Sequence, residues 1–396
     1  MKNKKQTDVF GDSSINVPFV VPMITSDDKK SITNALNSRL LTDGPLLKKF
    51  ETEFAKFTGS KFAIGVSNAT SALQLSLLAS GIGKGDEVIV PDITFVATAN
   101  AVMATGATPV LADIEKNDLN ISTDSIKSNI TLKTKAIIPV HFAGKSCDMK
   151  KIVDLARKNN LTIIEDCAHA IGTKYDLKHV GNFGIAGCFS FYPTKNMTTI
   201  EGGMIICNSK NLAKYLISCR NHGISRTYAQ RFSSGLPWDY DIKQHGYNFR
   251  LDEIRSAMGL SQIKKLREWN KKRNNAANYY TSNLKSINGI ETPLKTPTSE
   301  KHSWHLYVIK IKSSYGITRN ILFKKLLKQG IRTSVHYKPL HNFTLYKKKG
   351  KSFSSLTNSS VVYDEILSLP LYPDISKKEQ DFVINKIKTL QHEHAN

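Results

Sequence analysis

The chain has 396 residues, 40% hydrophobic and 22% charged, enough for a sizeable core in two domains or in one large domain with an appendage. No apolar run approaches the roughly 18 residues of a membrane span, and the lysine-bearing N-terminus lacks an apolar stretch behind it, so the expected compartment is the cytoplasm. The net charge of +23 raises nucleic acid as a partner, but the basic residues are dispersed, their densest clusters (Lys264 to Arg273, Lys347 to Lys351) come with no recognition motif, and none is expected.

From about Lys61 to Asn208, short β-rich apolar runs alternate with helical patterns. In chain order the runs are FAIGV (Phe62 to Val66), EVIVP (Glu87 to Pro91), TPVLADI (Thr108 to Ile114), AIIPV (Ala136 to Val140), TIIED (Thr162 to Asp166), GCFSFY (Gly187 to Tyr192) and GMIIC (Gly203 to Cys207). Segments such as ALQLSLLAS and MKKIVDLARKNN lie between them with helical spacing. This alternation predicts an α/β fold of three layers, a largely parallel sheet flanked by helices. Near-continuous apolar strands agree, because such strands are buried on both faces. After Leu251 come a long charged helical stretch and a Pro/Thr-rich loop (Glu291 to Ser299). A smaller C-terminal α+β domain follows, with HLYVIKI and IRTSVHY as strands and ITRNILFKKLLKQG and KKEQDFVINKIKTL as helices. The boundaries expected are a tail over 1–17, a large domain over 18–262 and a small domain over 263–396. Five cysteines without a C-x-x-C pair read as reduced thiols, and no metal site is expected.

Open α/β sheets bind ligands beyond the carboxyl ends of their strands, so the residues that follow each run carry the functional reading. After FAIGV, Ser67-Asn68-Ala69-Thr70-Ser71 opens a helix and forms either a phosphate site or an ordinary N-cap. PVHFAGKS (Pro139 to Ser146) approaches a P-loop, but Pro139 takes the place of the first glycine. Asp166 ends TIIED, where a carboxylate needs a cation such as a protonated ring nitrogen, unless it serves as a helix cap. Lys195 follows GCFSFY-Pro-Thr, where partial burial would leave a neutral amine able to form a Schiff base. Gly202-Gly203 permits close backbone approach. A phosphate cradle, an aromatic ring (Phe95 in PDITFVATAN), a buried carboxylate and a desolvated lysine at the ends of one sheet are what pyridoxal 5'-phosphate requires.

In these blocks, together with HGYNFRLDEIRSAMGL, GIRTSVHYKPLH and SLPLYPDIS, the sequence resembles the DegT/DnrJ/EryC1/StrS family of pyridoxal phosphate-dependent sugar aminotransferases of fold type I. The resemblance runs from about Pro18 to Ser376. It implies that Lys195 holds the cofactor covalently and shuttles the proton, that Asp166 partners the ring nitrogen, and that His169 stands near the ring hydroxyl. It places Ala69 and Thr70 on the phosphate, helped by Ser190, with Asn68 where the family commonly has Ser, and it stacks Phe95 on the ring. Asn248 resembles an asparagine that reaches the neighbouring subunit's cofactor phosphate, which implies a homodimer with shared sites. His336, Tyr337 and His341 fall in a block that lies near the sugar nucleotide in relatives.

The function expected is transfer of an amino group from an amino acid, glutamate foremost, through the pyridoxamine 5'-phosphate form of the cofactor, to a C4 keto group of a nucleotide-linked deoxysugar. The alternatives on the same fold are a sugar dehydratase and a non-catalytic cofactor-binding regulator. The dehydratase branch carries histidine where this chain has Lys195.

Overall fold

The computed structural model describes residues 14–224, 233 and 235–392. Strands β1 (Phe62–Val66), β2 (Glu87–Pro91), β3 (Thr108–Ala112), β4 (Thr134–Ile137) and β5 (Thr162–Asp166) come first in the chain. A short hairpin of β6 (Lys174–Tyr175) and β7 (Lys178–His179) follows, and then β8 (Ala186–Ser190) and β9 (Gly203–Cys207). All but the hairpin form one sheet in the order β1-β9-β8-β5-β4-β2-β3. Strands β3, β2, β4, β5 and β8 pair in parallel, whereas β9 runs antiparallel to both β8 and β1. β2, β8 and β9 are buried along their whole length. That is why their apolar runs do not alternate with polar residues.

Helices cover both faces. The Ala69–Ala79, Ala97–Ala104 and Lys210–Cys219 helices pack Leu73, Leu77, Val102 and Leu216 with Ile64, Val88 and Ile205 of the sheet. The opposite face carries Phe50 and Phe54 of the Pro45–Thr58 helix against Phe189, Met204 and Ile206. All five cysteines are buried and free, as expected of reduced thiols.

A second core surrounds the antiparallel strands β10 (Ile290–Glu291), β11 (Tyr307–Ile311) and β12 (Ile366–Leu369). It takes residues from the Arg319–Lys328 and Lys377–His392 helices and from Val17. The Leu266–Leu284 helix joins the two cores, with Leu266 in the first and Ala277, Tyr280 and Leu284 in the second.

Two details differ from the sequence reading. The long charged stretch is two helices, Glu253–Ile263 and Leu266–Leu284. Between them the Lys265 ammonium reaches Asp28 at 3.1 Å and Thr25 at 2.5 Å on the Ser26–Leu36 helix and its cap. IRTSVHY is not a strand; its backbone meets the rest of the fold at the isolated bridges Val17–Ile331 and Ser334–Ser368. Among the described residues no helix is long and apolar enough to cross a membrane.

Gly203 begins β9 against the backbone that opens the Ala69–Ala79 helix. A Cβ there would lie 2.5 Å from the carbonyl carbon of Asn68 and 2.8 Å from the amide nitrogen of Ala69. Neither atom can yield without moving the helix start. Gly203→Ala is expected to destabilise the protein by about 1–3 kcal/mol, as overpacking does, read by urea unfolding. Unchanged stability would show that the helix start is free to shift.

Candidate functional site

Asp166 ends β5 and is 5% exposed. Its Oδ1 accepts the Ala168 amide at 3.1 Å and its Oδ2 the Thr98 hydroxyl at 2.9 Å. A carboxylate has about four acceptor positions, so both oxygens keep capacity for a further donor. Burial pushes its pKa up, opposed by those two hydrogen bonds and by the charge of Lys195. The preceding residue, Glu165, points to the other face of the strand, as the period of two dictates. There it is satisfied by His141 and by the Gly181, Phe183 and Gly184 amides.

Lys195 lies on the loop between β8 and β9, the strand next to Asp166's own. The loop is closed by the Phe191 amide donating to Gly202 at 2.9 Å and the Thr199 amide donating to Phe191 at 3.0 Å. Lys195 is half-buried, and desolvation lowers its amine from 10.5 to about 8, against the pull of Asp166. The amine is thus available in neutral form near physiological pH, as an imine-forming nucleophile must be.

The phosphate-loop reading and the cap reading of Asn68 both describe the same turn. Asn68 caps the Ala69–Ala79 helix, its Oδ1 accepting the Ser71 amide at 2.8 Å and the Ser71 hydroxyl at 3.0 Å. Its side chain is thereby committed. The Ala69 and Thr70 amides belong to the first turn, which has no intrahelical acceptors, and the helix dipole favours an anion there. Ser190 ends β8, beside Gly203 where β9 begins.

A ring-lined wall completes the site. Phe95 is 57% exposed, with the Tyr337 ring 5.9 Å away as its aromatic neighbour. His169 is buried; its Nδ1 accepts the Ala143 amide at 3.3 Å, so Nε2 carries the proton and donates to the Tyr337 hydroxyl at 3.0 Å. Burial and the Lys195 charge hold His169 well below the usual imidazole range, in keeping with that neutral tautomer. His336 is also held neutral, lowered to about 3 by burial, and is 2.8 Å from the Ser368 hydroxyl. Together with Phe19, Lys195 and Tyr337 it lines an open cleft.

Of the residues singled out in the sequence, Lys195, His336 and Tyr337 line this cleft; His169 and Phe95 neighbour Tyr337, and the charge of Asp166 acts on Lys195. Asn248 is exposed, next to Phe249, whose carbonyl takes the Ser67 amide at 2.9 Å. His341 is turned away to Asp92 at the end of β2: its ring Nδ1 is 2.6 Å from the Asp92 carboxylate and its amide donates to the same group at 2.9 Å. Two participants escaped the sequence reading. Thr98 was legible as the hydroxyl three residues beyond Phe95. His305, whose ring lies 4.3 Å from His169 and whose Nδ1 faces Asn196, carries no strand-end signal.

The residues present fit a pyridine-type cofactor with a phosphate arm. The site has an open aromatic face, a buried carboxylate with vacant lone pairs, a lowered lysine and a helix start pressed against a glycine. Comparison with known proteins points the same way. The model of the DegT/DnrJ/EryC1/StrS aminotransferase family matches residues 22–388. The spore coat polysaccharide biosynthesis protein SpsC of Bacillus subtilis is 39% identical over 377 residues, covering 94% of this chain and 97% of that protein. A putative sugar aminotransferase, Spr1654 from Streptococcus pneumoniae, solved in PMP and PLP forms, superposes in its PMP form with a TM-score of 0.89 at 29% identity, covering 96% of this chain and 100% of its own. Helicobacter pylori PseC, an aminotransferase involved in the biosynthesis of pseudoaminic acid, gives 0.88 at 32% identity, covering 95% and 99%.

The His341–Asp92 contact yields a pH test. Hydrogen bonding to Asp92 raises the histidine pKa above 6.5. Its contribution to stability is therefore complete below the unfolded value and lost as pH rises through the raised one. His341→Ala should lower Tm more at pH 6 than at pH 9; an equal loss at both would show that the pair is not ionic.

Proposed function

The chain belongs to the DegT/DnrJ/EryC1/StrS aminotransferase family, and we propose on that premise that it transfers an amino group from glutamate to the C4 ketone of a nucleotide-linked deoxysugar. It is an aminotransferase with pyridoxal phosphate as its cofactor. The observation that supports the cofactor chemistry is the pairing of Lys195, with its amine lowered to about 8, and the buried Asp166 on the neighbouring strand end; the sugar acceptor rests on the likeness to a putative sugar aminotransferase and to PseC.

Asp166 would hold the ring nitrogen, Phe95 the ring face, His169 the ring hydroxyl side, and the Ala69 and Thr70 amides with Ser190 the phosphate. Lys195 is the covalent anchor. Bound there, the cofactor supplies an electron sink at the donor's α-carbon and carries the amino group between donor and acceptor. The released Lys195 amine, neutral above about pH 8, takes the α-proton and returns it. His336 and Tyr337, both held neutral by burial, present polar but uncharged groups to the sugar side. In this reading residues 18–262 carry the cofactor and residues 263–396 close the substrate side. A homodimer lends Asn248 to the partner's phosphate, the reaction runs in the cytoplasm, and the net charge of +23 favours anionic sugar nucleotides rather than nucleic acid.

Three outcomes test this. Capture of pyridoxal phosphate by the cofactor-free protein, followed by absorbance, should accelerate with pH to a half-maximum near 8, because only the neutral amine reacts; a midpoint near 10 would show Lys195 fully solvated. Mass spectrometry of a panel of keto sugar nucleotides should find glutamate-dependent amination that drops at least about 100-fold in Lys195→Ala. Amination retained in that variant, or of free sugars only, would contradict the reading. Mixing Lys195→Ala with Asn248→Ala chains should restore activity, up to half per heterodimer if the sites act independently. No recovery after verified subunit exchange would return Asn248 to its own subunit's site.

A further inference from the structure

A second cavity, of ≈640 Å³, opens between hairpin β6–β7, the Leu266–Leu284 helix and the loop at 296–302, and shares no lining residue with the Lys195 cleft. Its walls carry four cations arranged as two like-charged pairs. Lys174 and Lys301 are bridged antiparallel, each amide donating to the other's carbonyl at 2.9 Å. That pairing sets their side chains opposite one another, an arrangement that costs stability when both are positive. On the facing helix, Arg267 and Lys271 are four residues apart and repel in the same way.

No carboxylate among the described residues lies within ion-pair distance of any of the four. The one carboxylate on the lining, Glu300, is engaged by Lys145 at 3.6 Å and by the Ser146 hydroxyl at 3.1 Å. The cavity also offers neutral donors. His302 accepts the Trp304 amide through Nδ1 at 2.9 Å, so Nε2 carries the proton, and no acceptor for it is found among the described residues. The Thr296 hydroxyl is buried on the lining with no hydrogen-bond partner among the described residues.

We propose that this cavity is an anion site distinct from the Lys195 cleft, and that it binds a diphosphate-bearing small molecule. Two cation pairs supplied by different elements of the lining suit two phosphoryl groups; a single phosphate would relieve one pair and leave the other. Arg267 offers the planar fork that binds a phosphoryl group through two hydrogen bonds, and the lysines add point charges. Arg267 and Lys271, two members of the basic run Lys264 to Arg273, thereby acquire a local role.

Trp304 reports on occupancy, because its indole stacks on His302 at 3.9 Å and donates to Asn274, also on the lining, at 3.0 Å. The experiment is a titration of the cofactor-loaded protein with inorganic pyrophosphate, followed by tryptophan fluorescence. A saturable change is expected that weakens steeply with added salt. Arg267→Gln/Lys271→Gln and, from the other wall, Lys174→Gln/Lys301→Gln should each weaken binding by about tenfold or more at unchanged Tm, while His336→Ala in the other cleft should not. Orthophosphate should bind more weakly. A nucleoside diphosphate run in parallel separates the two sources of the chemistry: tighter binding than pyrophosphate indicates a nucleotide, equal binding the bare diphosphate. No saturable change by about 10 mM, equal affinity in both folded double variants, or orthophosphate binding as tightly would overturn the proposal.

Discussion

A carboxylate and an amine share one desolvated place at the carboxyl ends of β5 and β8, and the rest of the site is arranged around that fact. Burial acts on both groups in the direction of neutrality, raising Asp166 and lowering Lys195 to about 8, and outweighs their attraction for one another. A pair in this condition is poised: a bound cationic ring nitrogen would favour the charged carboxylate, while the amine remains free to react. The parallel strands explain the placement. Neighbouring parallel strands end on the same side of the sheet, so residues far apart in sequence meet there, whereas Glu165, one position earlier, is delivered to the opposite face and spends its charge on His141 and three backbone amides.

The substrate-facing wall comes from the C-terminal part of the chain. His336 and Tyr337 precede the loop that His341 and Leu340 fasten to Asp92, so the end of β2 fixes the segment that carries them. Tyr337 then closes on His169, and Asn196, the residue after Lys195, is held by Asn270 at 2.8 Å and by the Ser303 carbonyl at 2.7 Å. The lysine loop is therefore braced by the helix that joins the two cores. A change in packing between them would be felt at the reacting amine.

Much of this was legible in the sequence because buried parallel strands write themselves as apolar runs, and the residue after each run lies at the ligand-binding edge. Asp166 and Lys195 could be picked out by that rule alone. What was hidden depends on tertiary contacts that leave no local mark. The break between the Glu253–Ile263 and Leu266–Leu284 helices has neither proline nor glycine; it coincides with Lys265 reaching across to Asp28. IRTSVHY has strand-like composition, yet it runs past β12 with one bridge, at Ser334, and spends His336 and Tyr337 on the cleft. His341 resembled a substrate contact by position, and only the fold revealed its carboxylate partner.

The most direct test of the central pairing is the chemical shift of the cofactor's ring nitrogen, measured by NMR with isotope-labelled pyridoxal phosphate bound to the native protein and to Asp166→Asn. The account predicts a protonated ring nitrogen in the native protein at neutral pH and an unprotonated one in the variant, because an amide cannot hold the positive charge. An unprotonated nitrogen in the native protein, or the same shift in both, would contradict it.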